Sequence, residues 1–247
     1  MRVLKSLALV FTLVVVAAAQ SPEPPLAESR LTVHTLLRED IFAGFMANDM
    51  TRFERGERNI QQLLRDRPDQ RGNLLAWTGT TKLHRAVLAH EAGKAEEFQK
   101  YYGEARAAFA EAGKQAAGSE GAAAITGGSY SVFADRLPQQ YRADAWADAY
   151  AAYSLLWKQQ GPAIDKLPVH HRGEVLAGLT QSAQRTGRTD EVERNLDLML
   201  THLPGTPYEA MAKQWKSDPS SVAKTSLTCK NCHNPGRLSS SLAALKQ

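Results

Sequence analysis

The only two cysteines of this 247-residue chain stand near its C-terminus, at Cys229 and Cys232, and His233 follows directly. On a helix, residues three and four positions apart lie on one face, so the three side chains can address one object. Two thiols at this spacing can bond the two vinyl groups of a haem, while the adjacent imidazole ligates the iron. The spacing therefore predicts one covalent c-type haem, with thioethers at both cysteines and His233 as the proximal ligand.

A C-x-x-C pair also has other interpretations, and they stay open at this point. The two thiols can form a short-loop disulfide or a redox pair, or they can contribute to a zinc site. A zinc site needs further ligands, and no second C-x-x-C or H-x-x-x-H pair supplies them. A thioredoxin-like motif belongs beside a βαβ pattern, which this sequence lacks. Covalent haem is therefore the leading interpretation.

The second axial position of such an iron has no obvious ligand in the sequence. Fourteen residues follow His233, and none of them is Met or His. A ligand therefore has to come from another chain or from upstream in this one, where Met211 and His202 are weak candidates and Met199 and the pair His170 and His171 are further ones. A five-coordinate iron, open to a small gas ligand, is the alternative.

The first 19 residues are typical of a secretory signal peptide. Arg2 and Lys5 supply a short basic region, residues 7–16 are almost unbroken apolar sequence, and three alanines precede Gln20. The apolar run is shorter than the roughly 20 residues that a membrane-spanning helix needs. We therefore expect cleavage after residue 19, export to the periplasm or the exterior of a bacterial cell, and no membrane span in the mature chain.

The mature chain carries little net charge, which narrows the class of partner. The formal net charge of +4 falls to +2 when Arg2 and Lys5 are removed, and no block of Lys and Arg has interleaved aromatic residues. Nucleic acid is therefore not an expected partner. Two cysteines do not make a disulfide scaffold in a chain of this length, so a hydrophobic core has to hold the fold together.

Helical periodicity extends through almost the whole mature chain, and alternating strand-like runs are absent. After a flexible leader at residues 20–28, paired helices are predicted over residues 29–217, and Pro68 and Pro204 are among the residues that end them. The glycine-rich stretch at residues 118–129 is the clearest predicted break. The sequence therefore predicts an all-α fold of stacked helical hairpins.

The unit that ends at Pro204 resembles a tetratricopeptide repeat, in which two antiparallel helices are joined at a turn glycine. Thr180 occupies the position at which the first helix of the repeat usually has glycine. When the same pattern is aligned so that it ends at Pro68, it is again matched in part. The matching positions are Leu176, Leu179, Ala183, Val192, Leu196 and Met199 in the first case, and Gly44, Gly56, Ile60 and Leu63 in the second. The resemblance implies a right-handed superhelix of hairpins that bury their apolar faces on one another, with an irregular helical bundle as the alternative.

Residues 228–237 are similar to the C-terminal end of the cytochrome c-prime family. In that family the last helix of a four-helix bundle carries C-x-x-C-H, and a basic residue, here Arg237, follows the histidine by four positions. Pro235 and Gly236 depart from the family, whose helix continues at this point. The resemblance implies haem attachment to both cysteines and proximal ligation by the histidine, on a C-terminal haem segment at residues 218–247.

These features together predict an exported mono-haem c-type cytochrome that passes single electrons between redox partner proteins, with the helical body as a docking scaffold. One alternative is a five-coordinate haem protein that binds a small gas or reacts with peroxide. Another is a haem-free helical-repeat adaptor whose C-x-x-C pair is a disulfide. No hydrolase, P-loop, zincin or Rossmann motif is present, so an electron carrier is expected rather than an enzyme.

Overall fold

The computed structural model describes residues 22–115, 119–224 and 236–246, and every regular element in these ranges is helical. The helices are α1 (Val33–Ala47), α2 (Met50–Asp66), α3 (Arg71–Glu91), α4 (Ala95–Gly113), α5 (Ser119–Phe133), α6 (Gln139–Gln160), α7 (Val169–Arg185), α8 (Thr189–His202), α9 (Pro207–Ser217), α10 (Ser220–Lys224) and α11 (Arg237–Ala244). Short 3-10 turns at Pro68–Gln70, Ala134–Arg136 and Gly161–Lys166 lie between them. The predicted all-α class is confirmed, whereas the tetratricopeptide-like superhelix stays a prediction.

Consecutive helices pack as hairpins, and the turns between them follow from local sequence. α1 packs on α2, α3 on α4, α5 on α6 and α7 on α8. Gly93 ends α3 and Gly187 ends α7 with φ values of +72° and +73°, a backbone region that glycine adopts without steric cost. Asp49 caps α2 by accepting a hydrogen bond of 3.1 Å from the backbone N–H of Arg52.

Close contact between α1 and α2 depends on two glycines that the repeat pattern had picked out. A Cβ atom on Gly44 would lie 2.6 Å from Cδ2 of Phe53, and one on Gly56 would lie 2.7 Å from Cδ1 of Ile41. Any side chain at either position would therefore push the two helices apart. Of the other matched positions, Ile60 and Leu63 on α2 are fully buried, as the repeat pattern predicts.

The predicted break at residues 118–129 is wrong, because residues from Ser119 onward form helix α5. Glycine within a helix costs about 1 kcal/mol relative to alanine, so the local sequence disfavours this helix. Tertiary contacts override that preference. A Cβ atom on Gly127 would lie 3.0 Å from the ring of Tyr153 on α6, and the hydroxyl groups of Thr80 on α3 and Ser129 lie 2.6 Å apart. The small residues of α5 let it lie close to both neighbours.

Both ends of the described chain pack against the helical body. The guanidinium of Arg67 donates hydrogen bonds to the carbonyls of Leu26 (2.9 Å) and Glu28 (2.7 Å), which holds this part of the predicted leader in place. At the other end, Leu238 on α11 is buried in the core that α1 and α2 share. Val222 on α10 is buried in the core of α7, α8 and α9. The residues on either side of the C-x-x-C-H motif are therefore anchored in two different hydrophobic cores.

His84 on α3 is a buried histidine inside a cluster of aromatic rings. Its ring centroid lies 4.7 Å from Phe45, 5.0 Å from Phe53 and 5.4 Å from Phe133, and neither ring nitrogen has a hydrogen-bond partner among the described residues. Burial, and after it the positive charge of Arg136, lowers the pKa of His84 from 6.5 to about 4. Because the unfolded chain binds this proton at higher pH than the folded chain, stability is lost as the pH falls from 6.5 towards 4.

We expect His84→Leu to weaken this acid sensitivity, because the variant has no imidazole to charge inside the core. The wild type should lose up to about 3 kcal/mol through this group between pH 7.5 and pH 4, the equivalent of its pKa shift. Urea unfolding at several pH values measures the difference. His90→Leu, an exposed position on the same helix, is the matched control and should keep the wild-type profile. If His84→Leu loses stability at low pH as the wild type does, His84 is not the source of this acid sensitivity.

Candidate functional site

A cavity of about 510 Å³ lies among α1, α3, α5 and α7, within the usual size range of small-molecule sites. Each helix contributes residues spaced three or four positions apart, which places them on one helix face. The residues from the first two of these helices are His34, Arg38 and Phe42 on α1, and Asn73, Trp77 and Thr80 on α3. The α5 wall is made largely of small residues, which leaves room for a ligand between the other helices.

Three histidines line this cavity, and His34 is the most enclosed of them. Its ring centroid lies 5.3 Å from that of Trp77. Burial, followed by the positive charge of Arg38, lowers the pKa of His34 from 6.5 to about 3, so its imidazole is neutral at physiological pH. His170 and His171 reach the cavity from the first turn of α7. A neutral imidazole is the form that ligates iron.

A carboxyl group lies on the α7 side of the cavity. Oε2 of Glu174 is 3.8 Å from Nε2 of His170, one helical turn earlier on the same helix. Burial raises the pKa of Glu174 from 4.5 to about 7, because the surrounding protein disfavours the charged form. Nδ1 of His170 lies 3.4 Å from the hydroxyl of Tyr208 on α9. The cavity thus contains a carboxyl group that can hold a proton near neutral pH.

Two arginines, Arg38 on α1 and Arg237 at the start of α11, also line the cavity. Burial, and then the nearby charge of Arg237, lowers the pKa of the Arg38 guanidinium, while Glu39 acts in the opposite direction. Nε of Arg38 is buried and has no hydrogen-bond partner in the described part of the chain. The same is true of Nε1 of Trp77. The cavity therefore presents positive charge and unsatisfied hydrogen-bond donors.

The predicted haem-attachment residues Cys229, Cys232 and His233 lie outside the described residues. The two weak candidates for the second axial ligand are described, and neither lines the cavity. Nδ1 of His202 lies 2.8 Å from a carboxylate oxygen of Asp165, and Met211 packs on the core of α7 to α10. The structure instead brings His170 and His171 to the cavity, together with His34, which no sequence pattern indicated.

No family model, curated protein or solved structure matches this chain. Among the described residues, no helix is long and apolar enough to cross a membrane. Within the same ranges, no group of three or more His, Cys, Asp and Glu side chains is arranged to hold a metal ion.

The residues of the cavity fit a haem, the cofactor that the C-x-x-C-H motif implies. A porphyrin is a planar aromatic ring system with two carboxylates on one edge, so it needs apolar walls, positive charge on one side and imidazole for its iron. Phe42 and Trp77 supply aromatic walls, Arg38 and Arg237 supply positive charge, and His34 supplies a neutral imidazole. The buried, unpartnered Nε of Arg38 is the donor that a carboxylate would satisfy.

We expect Glu174→Gln to remove a loss of stability that the wild type shows at high pH. The pKa of Glu174 is higher in the folded state than in the unfolded state. This group therefore stabilises the folded wild type fully below pH 4.5, and the stabilisation is lost as the pH rises through about 7. Glutamine keeps the shape of the side chain but has no charge to bury. Urea midpoints at pH 5.5 and pH 8.5 should therefore differ less in the variant than in the wild type.

The matched control is Glu193→Gln, at an exposed position on α8. This variant removes one negative charge without touching the cavity and should keep the wild-type difference between the two pH values. If Glu174→Gln and Glu193→Gln behave alike, the carboxyl group on the cavity wall does not carry the effect.

Proposed function

We propose that this protein is an exported electron carrier of the c-type cytochrome class, with one haem. In this proposal Cys229 and Cys232 bind the haem covalently and His233 is its proximal ligand. When bound, a c-type haem supplies a reversible one-electron couple. The helical body contributes the walls of the haem site and the surface on which a redox partner docks.

The observation that carries the proposal is the position of Arg237, a described residue on the cavity wall. It follows His233 by four residues. An extended chain covers at most about 3.6 Å per residue, so the covalent chain allows at most about 14 Å between the Cα atoms of His233 and Arg237. A haem tethered by the C-x-x-C-H motif is therefore within reach of a cavity whose residues fit it.

We expect the mature protein, made together with c-type haem maturation factors, to give the α-band of a c-type haem in a pyridine haemochrome spectrum. The band should persist after denaturation because the thioether bonds survive unfolding. The Cys229→Ala/Cys232→Ala variant, made under the same conditions, should lose it. The haem-free adaptor alternative predicts no band in either protein, and that result would overturn the proposal.

A second axial ligand from the chain distinguishes electron transfer from gas binding. We propose His34 for this position, since it is a neutral, enclosed imidazole on the cavity wall. With an internal ligand the iron is closed to exogenous molecules, which suits an electron carrier. Without one the protein belongs to the five-coordinate class that binds small gases or reacts with peroxide.

We expect the ferrous wild type to be low-spin and unaffected by CO, and His34→Ala to be high-spin with a Soret band that shifts when CO is added. Met211→Leu and His202→Gln should keep the wild-type spectrum. A low-spin His34→Ala variant would exclude His34 as the ligand. A wild type that already binds CO would favour the gas-binding alternative instead.

A further inference from the structure

The two arginines of the cavity lie close together, Arg38 half-buried and Arg237 exposed. Among the described residues, neither Arg38 nor Arg237 forms a hydrogen bond or an ion pair within 4.0 Å, although the chain contains many such pairs elsewhere. Burial and the charge of Arg237 together lower the pKa of Arg38, which means that the two guanidinium groups repel each other. A fold gains nothing from such a pair unless a negative ligand binds there.

The nearest carboxylate on the same helix is already engaged elsewhere. Oε1 of Glu39 accepts a hydrogen bond of 2.7 Å from the backbone N–H of Leu238, and its Oε2 lies 3.8 Å from the guanidinium of Arg52. Glu174, the carboxyl group of the α7 wall, has a raised pKa caused by burial, which keeps much of it uncharged near neutral pH. Glu120, also on the wall, accepts a hydrogen bond of 3.1 Å from Gln160. The arginine side of the cavity therefore keeps its positive charge.

Apolar surface next to this charge restricts the ligand further. Phe45, Ile125 and Val132 are half-buried apolar side chains on the cavity wall, beside the buried rings of Phe42 and Trp77. A small inorganic anion would leave this apolar surface without contact, whereas a flat apolar molecule with carboxylates on one edge would cover it and reach both arginines. Guanidinium groups bind carboxylates through paired, charge-assisted hydrogen bonds.

We propose that Arg38 and Arg237 form a carboxylate-binding site that orients a planar aromatic dianion in the cavity, with the two propionates of a porphyrin as the carboxylates. This inference deepens the proposed function and rests on it for the identity of the porphyrin as haem. It also assigns the direction of binding, with the carboxylate edge towards α1 and the start of α11. The site consists of described residues alone and includes neither cysteine. It can therefore be tested in a protein that cannot form the thioether bonds to haem.

The test uses the full mature chain with Cys229→Ala and Cys232→Ala, titrated with hemin and, separately, with hemin dimethyl ester in the same mild detergent. The ester keeps the ring and the iron but has no carboxylates. Arg38→Met and Arg237→Met should each weaken hemin binding about tenfold, the usual loss for one charge-assisted hydrogen bond. Binding of the ester should be the same in these variants as in the parent.

Two further variants keep the result interpretable. Arg38→Lys retains the charge and should keep more affinity for hemin than Arg38→Met, which separates loss of charge from damage to the fold. Arg194→Met removes an arginine that is 66% exposed on α8 and does not line the cavity, and it should bind both probes like the parent. Circular dichroism of each variant checks that the helical content is unchanged.

Equal loss of hemin and ester in the arginine variants, or no loss of either, would overturn the inference. Failure of the proposed function has a different signature. If the haemochrome test finds no covalent haem but hemin binding depends on the arginines, the carboxylate site stands and covalent attachment does not. If covalent haem is found and the arginines make no difference, the cytochrome assignment stands and the orientation does not.

Discussion

The burial of α3 against several neighbours is the constraint on which the rest of the molecule depends. Except for a partly exposed stripe that includes Thr78, Lys82 and Arg85, α3 is enclosed by α4, α5 and the first hairpin. The approach of α4 is close enough that a Cβ atom on Gly79 would lie 2.6 Å from the ring of Phe109. On its other faces, α3 carries Trp77 to the cavity and His84 to the aromatic cluster. A shift of α3 would therefore disturb both features at once.

Polar groups on the cavity walls that lack partners among the described residues oppose the collapse of the cavity. Protein interiors are normally close-packed, and an apolar void of this size would lose dispersion contacts on every side. Here Nε of Arg38, Oδ1 of Asn73 and Nε1 of Trp77 are buried without partners among the described residues. Each such group costs about 1–3 kcal/mol, and closing the cavity around them would satisfy none of them. Two of these three groups are hydrogen-bond donors, which a ligand with acceptor oxygens would satisfy.

Sequence reasoning was most reliable where the determinants are local. Most of the helices were predicted from the helical period, from turn residues such as Gly187 and from the prolines that end helices. The repeat pattern also identified buried positions such as Leu196. It failed at α5, since the contacts that stabilise a glycine-rich helix come from Tyr153 and Thr80, far away in the chain. It also missed His34 and Arg38. Their spacing of four residues was visible, but only the approach of the other helices makes that face a cavity wall.

The packing of α11 against α1 also contributes to the charge of the cavity. The carboxylate of Glu39, next to Arg38 in the chain, accepts a hydrogen bond from the backbone N–H of Leu238. That hydrogen bond, with the burial of Leu238 in the first-hairpin core, fixes the start of α11 and so brings Arg237 to the cavity wall. The contact that returns the end of the chain to α1 therefore adds one positive charge to the site. In the proposed carboxylate site, both arginines are in place only when α11, which follows the C-x-x-C-H motif in the chain, packs against α1.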